Sequence, residues 1–116
     1  LMLMPKVGIK FNSAIVFAPA CCGPRHEINK YPVWRKEIRP KQVKQIKEAA
    51  LIKALIFAYE DDKFNRSKEL MFLKEKSPDT VNIIAYKCGE GHNTYRKDCR
   101  INETKKIIKK YIEEQG

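Results

Sequence analysis

Glycine is scarce in this chain, five in 116 residues. None of the five falls in a G-x-G-x-x-G or G-x4-G-K-[ST] pattern. No glycine-rich loop of the kind whose backbone N–H groups cradle a dinucleotide or a nucleoside triphosphate is therefore expected. Long apolar runs are lacking as well. The stretch from Ala14 to Cys22 is broken by Pro19 and is too short to cross a bilayer. Catalytic signatures are missing: no serine stands in a G-x-S-x-G elbow, and no H-E-x-x-H occurs. Glu60, Asp61 and Asp62 are adjacent acids, which reads as a solvated element end and not as a pair of carboxylates facing a substrate. Nothing in the chain predicts an enzyme.

Histidine is rarer still, with two residues, and there are four cysteines. All six fall in two short clusters. Cys21 and Cys22 precede His26, and Cys88 and His92 are followed by Cys99. Each cluster holds a Cys-x3-His pair, Cys22/His26 and Cys88/His92. Zinc favours four thiolate and imidazole ligands in a tetrahedron, so these four residues form the candidate metal site, with Cys21 or Cys99 in reserve. Their spacing is not that of the usual C-x2-C or H-x3-5-H knuckles. The alternative is four reduced cysteines packed as small apolar residues. Cys22-Gly23-Pro24-Arg25 resembles the Cys-Gly-Pro-Cys turn of the thioredoxins, with Arg25 where the second cysteine would stand. That replacement removes the resolving thiol on which dithiol exchange depends. A Cys88–Cys99 disulfide requires that 88–99 form a loop, because a hairpin turning near Glu90 would hold the two sulfurs out of register. Adjacent Cys21 and Cys22, with no dense cysteine spacing elsewhere, point away from a secreted disulfide scaffold and toward a reducing cytoplasm or an organelle matrix.

Positive charge is in clear excess. Lys and Arg number 24 against 14 Asp and Glu, for a net charge of +10 and a pI near 9.5. Such an excess favours a polyanionic partner: a nucleic acid such as RNA, an anionic membrane face or an acidic protein. At 43% hydrophobic residues the chain can bury a core, and its length suits a single domain spanning 1–116.

Residues 7–18 read as extended: Val7, Ile9 and Phe11 alternate, and Ala14–Ala18 is β-prone, with Asn12-Ser13 as a turn. Four of the six prolines, Pro19, Pro24, Pro32 and Pro40, crowd into 19–40 and predict an extended proline-rich arm. Pro40 suits the first position of a helix, which Val43, Ile46, Ala50, Ala54 and Ala58 would continue. Residues 51–59 become apolar all round. They read first as the buried end of that helix and second as a strand. A helix from about Phe64 to Lys76, stopped by Ser77-Pro78, would turn Leu70, Met71 and Leu73 inward. A strand Val81–Lys87 follows, with a hairpin return over 92–99. A last helix is capped by Asn102. Its apolar stripe is Ile107, Ile108, Tyr111 and Ile112, and its basic side is Lys105, Lys106, Lys109 and Lys110.

The expected architecture is α+β, a small sheet packed against about three helices. The expected function is a non-catalytic basic component of a ribonucleoprotein assembly, such as a ribosomal accessory protein. The candidate nucleic-acid contacts are Arg25, Lys30, Trp34, Arg35, Lys36 and Arg39 on the arm, with Lys41, Lys44 and Lys47 beyond it. Arg96, Lys97, Arg100 and the four lysines of the last helix make the second group. Basic side chains would neutralise phosphates, and Trp34 would stack on unpaired bases or anchor the arm to the core. The competing expectation is a small zinc-binding or thiol-dependent protein built on the Cys/His clusters.

Overall fold

The structure, a computed structural model, describes residues 12–19, 25–49, 53–60, 62–63, 65–87 and 100–115. Along the chain these form β1 (Ser13–Phe17), a short 3₁₀ segment (Arg25–Lys30), α1 (Tyr31–Glu48), β2 (Lys53–Tyr59), α2 (Ser67–Lys76), β3 (Val81–Tyr86) and α3 (Ile101–Gln115). The result is a small α+β fold: three helices on one three-stranded sheet of order β1-β2-β3. Both strand pairs are parallel, with Val16 opposite Ile56, and Ile56 opposite Ile83. Parallel neighbours need a crossover, and α1 and α2 supply the two.

The sheet separates two cores. Side chains alternate along a strand, so β2 sends Leu55, Phe57 and Tyr59 to one face and Ile56 and Ala58 to the other. The first set packs with Tyr86, Ile84, Ile107, Ile108 and Tyr111, which places α3 on that face. The second packs with Val43 and Ile46 of α1 and with Leu70, Phe72 and Leu73 of α2. The helices thus form two outer layers, α1 with α2 on one side and α3 on the other. A strand covered on both faces has no polar side, which is why β2 reads as an unbroken apolar run. Phe57 and Ile56 are fully buried, and each such side chain contributes roughly 1.5–3 kcal/mol.

Several sequence expectations are corrected here. Residues 53–59 are a strand, not the end of a helix: burial on two faces overrides the helical preference of Ala54 and Ala58. The 19–40 stretch is not an extended arm from Arg25 onward, because 25–30 is 3₁₀ and α1 starts at Tyr31. The proline that opens α1 is Pro32; Pro40 lies inside it. α2 begins at Ser67, three residues later than expected, and Phe72, not Met71, faces the core. Ser77 does end α2. α3 starts at Ile101, so Asn102 lies within its first turn, directly after Arg100, whose φ is 53°. Ile112 falls off the buried stripe and is 58% exposed. Asp62 is fully buried, not solvated, and its Oδ1 accepts the backbone N–H of Asn65 at 3.4 Å. The extended reading of 7–11, the return strand over 92–99 and the Cys88–Cys99 pairing lie outside the described residues. Among the described residues, no helix is long and apolar enough to cross a membrane.

Candidate anion-binding surfaces

In a parallel sheet with these crossovers, the helices run back against the strands, so their N-termini gather at the carboxyl edge. α1 follows the end of β1, and α2 follows the end of β2. The start of α3 is tied to the end of β3, where the buried Thr104 hydroxyl donates to the Tyr86 hydroxyl at 3.0 Å. At the opposite edge, the Tyr111 hydroxyl donates to the Lys53 carbonyl at 3.0 Å. The loops after β1 and β2 are themselves joined, because Asn65 Nδ2 donates to the Pro19 carbonyl at 2.8 Å. Each helix N-terminus carries partial positive charge from its unpaired N–H groups.

The side chains at this edge add to that charge. The residues before α1 and α2 are Lys30 and Arg66, and neither makes a side-chain cap. The usual N-cap residues are Ser, Thr, Asp and Asn, and a cation here is unfavourable by about 0.3–1 kcal/mol. Arg66, Lys63 and Lys68 line a shallow depression with Arg35, Glu69, Ile28, Tyr31 and Pro32. A helix running from about Phe64 spreads Arg66 and Lys68 along its surface and leaves Lys63 outside it, so sequence reasoning misses this cluster. The available signal was three basic residues packed around the junction between an apolar run and a helix.

The arm residues proposed for RNA divide by what they touch. Arg39 donates to Glu69 Oε2 at 2.7 Å and lies 4.8 Å above the Phe72 ring. Arg35 Nε stands 3.9 Å from the same carboxylate oxygen, and its guanidinium lies 5.9 Å from the Tyr31 ring centre. These two arginines fasten α1 to α2. Lys30 pairs with Glu27 at 3.3 Å. Trp34 is half-buried, tilted against the buried Tyr31 ring at 5.9 Å. Lys36, Lys41, Lys44 and Lys47 are exposed, Lys44 pairing with Glu48 at 3.7 Å. Arg100 is engaged by Glu103 and lies 6.0 Å from the Tyr86 ring. The Arg25 side chain, Arg96 and Lys97 lie outside the described residues.

Apart from Ile112, α3 keeps the arrangement read from its periodicity. Thr104 and Tyr111 are buried, Ile107 and Ile108 are half-buried, and Lys105, Lys106, Lys109 and Lys110 are all exposed. Lys109 reaches Glu113 at 4.0 Å and Lys110 reaches Glu114 at 3.9 Å. Exposed i,i+4 pairs of this kind hold their lysines weakly, by about 0.3–0.5 kcal/mol. Because α1 and α3 lie in opposite layers, their two lysine rows face away from each other.

Of the four candidate zinc ligands, only His26 is described, and it is exposed. Cys22, Cys88 and His92 lie outside the described residues, and among those that are described no group of three His, Cys, Asp or Glu side chains is placed to hold a metal. The chain matches no family model, no curated protein and no solved structure.

Proposed function

We propose that the protein is a non-catalytic basic component of a ribonucleoprotein assembly, such as a ribosomal accessory protein, and that it contacts RNA phosphates through the outer face of α3. The observation that carries this reading is the exposure of Lys105, Lys106, Lys109 and Lys110 along one side of a helix whose other side is held to the sheet. Lysines at this spacing form a row of point charges on a rigid element, suited to a phosphate backbone and indifferent to base sequence. The net charge of +10 supplies the long-range attraction. The lysines of α1 would serve a second segment of RNA or a neighbouring acidic protein, since one straight duplex cannot lie on opposite layers at once.

The test is RNA binding measured across a salt series, with Lys105, Lys106, Lys109 and Lys110 replaced together by Gln. Each neutralised phosphate releases counterions, so four lost contacts should lower the magnitude of the log–log salt slope by roughly three. Affinity should fall alike for unrelated sequences. RNA affinity that is weak even at low salt, or that ignores the four replacements, would overturn the reading.

A further inference from the structure

We propose that the depression between the start of α1 and the start of α2 is a binding site for a phosphate group, either the free dianion or the terminal phosphate of a small monoester. It lies on the layer opposite α3 and stands independently of the RNA reading.

Four cations line the depression, Arg35, Lys63, Arg66 and Lys68, against one carboxylate, Glu69. That carboxylate is already engaged by Arg39 of α1 at 2.7 Å. Arg35 Nε is buried and makes no hydrogen bond, its nearest carboxylate oxygen standing at 3.9 Å. That nitrogen is sealed from solvent, so Arg35 adds positive charge to the wall of the depression without donating into it from Nε. Among the described residues, Arg66 and Lys68 carry no ion pair. The site lies at the carboxyl edge of the sheet, where α1 and α2 begin. It also abuts the start of the ten-residue α2, which has no side-chain cap and so favours negative charge.

Size restricts the occupant. The volume is about 240 Å³, below the roughly 300–1,000 Å³ of pockets that enclose a whole organic ligand. A phosphate group fits inside, and any organic part attached to it would extend along the apolar wall of Ile28 and Pro32. A second depression beyond Arg66 and Lys68 is lined by Glu60, whose carboxylate repels a phosphate, so the Arg35 side is the one assigned.

The experiment titrates the full chain with inorganic phosphate, adenosine monophosphate and adenosine, by calorimetry and by thermal unfolding, with sodium chloride at matched ionic strength. Phosphate should bind and should raise the unfolding temperature beyond chloride. The exposed pair R66Q/K68Q should weaken phosphate binding by roughly tenfold or more, as the loss of charged hydrogen bonds implies. The same variant should be no less stable than the parent without phosphate, because it relieves repulsion between like charges. Replacing Lys105, Lys106, Lys109 and Lys110 by Gln should leave phosphate binding intact. Tighter binding of the monophosphate than of phosphate identifies a monoester site, and the reverse identifies a free-phosphate site. Phosphate that acts no differently from chloride, a response that survives R66Q/K68Q or is lost with the α3 lysines, or adenosine binding as well as its monophosphate would each overturn the proposal.

Discussion

Arg39 in the middle of α1 donates to the Glu69 carboxylate of α2 at 2.7 Å, and its second contact from the same nitrogen is the Glu69 carbonyl at 3.4 Å. This one arginine reads the side chain and the backbone of the neighbouring helix while its guanidinium covers Phe72. It ties together two helices that share the same face of the sheet. Arg39→Ala should therefore lower stability by about 1–2 kcal/mol, combining a screened ion pair with a partly exposed cation–ring contact. Arg39→Lys keeps the charge but loses the planar fork, and should recover only part of that. Denaturant unfolding measures both. RNA affinity of the folded Arg39→Ala protein should stay near that of the parent, in contrast to the α3 lysine variant. A large affinity loss with unchanged stability would return Arg39 to the RNA surface.

Trp34 answers to the same logic. Most of its surface is withdrawn from water and its ring leans on Tyr31, which is itself 3% exposed. Trp34→Ala should cost about 2 kcal/mol, less than the 3–5 kcal/mol typical of a fully buried aromatic. The variant should bind single-stranded and duplex RNA in the same ratio as the parent. A selective loss of single-stranded binding would show that the ring stacks on bases.

Pro40 sits inside an 18-residue helix and is exposed. It brings no N–H for the Lys36 carbonyl, and a proline in a helix interior is about 3 kcal/mol less favourable than alanine. Part of that is returned, because proline also restricts the unfolded chain by about 0.4–1 kcal/mol. Pro40→Ala should stabilise the protein by about 2–2.6 kcal/mol, seen as a higher unfolding temperature with no change in the sheet. Destabilisation would mean that a bend at this position is needed to bring Arg35 and Arg39 onto Glu69.

How far the sequence disclosed this fold depends on how many faces each element buries. α3 buries one stripe and exposes one basic side, so its period was plain in Ile107, Ile108 and Tyr111. β3 stood out as a β-branched run ended by polar residues. β2 buries both faces, and a two-sided apolar run has no period that separates strand from helix. α1 fully buries only Tyr31 and Ile46; with that little apolar patterning, its prolines dominated the reading. Pro32 was compatible with a helix start all along, but Pro40 masked it. The exposed lysine row of α3 was legible because one helix carries it all. The Arg35, Lys63, Arg66 and Lys68 cluster was not, because packing brings together the start of α1 and the junction after β2, which no local window contains.

Alkaline pH should probe the α3 face of the sheet through two tyrosines. Burial raises the Tyr59 hydroxyl above its ordinary value of 10.0, and the neighbouring Tyr86 adds to the shift. Burial raises Tyr111 as well, opposed by a hydrogen bond with Ser13. A folded chain that holds these protons more tightly than the unfolded chain is most stable below pH 10. Above that value the unfolded chain gives up phenolic protons that the folded chain keeps, so the unfolded state binds fewer and stability falls as pH rises. Unfolding free energy measured from neutral to strongly alkaline pH should be insensitive to these groups until about pH 10 and then decline. Phenylalanine cannot ionise, so Tyr59→Phe should flatten the decline without altering its starting pH. Tyr111→Phe should flatten it too, and should also cost about 1 kcal/mol at neutral pH, because the hydroxyl no longer reaches the Lys53 carbonyl. Equal alkaline slopes in the parent and both variants would show that lysine deprotonation alone drives the loss, and that the two hydroxyls titrate alike in the folded and unfolded chains.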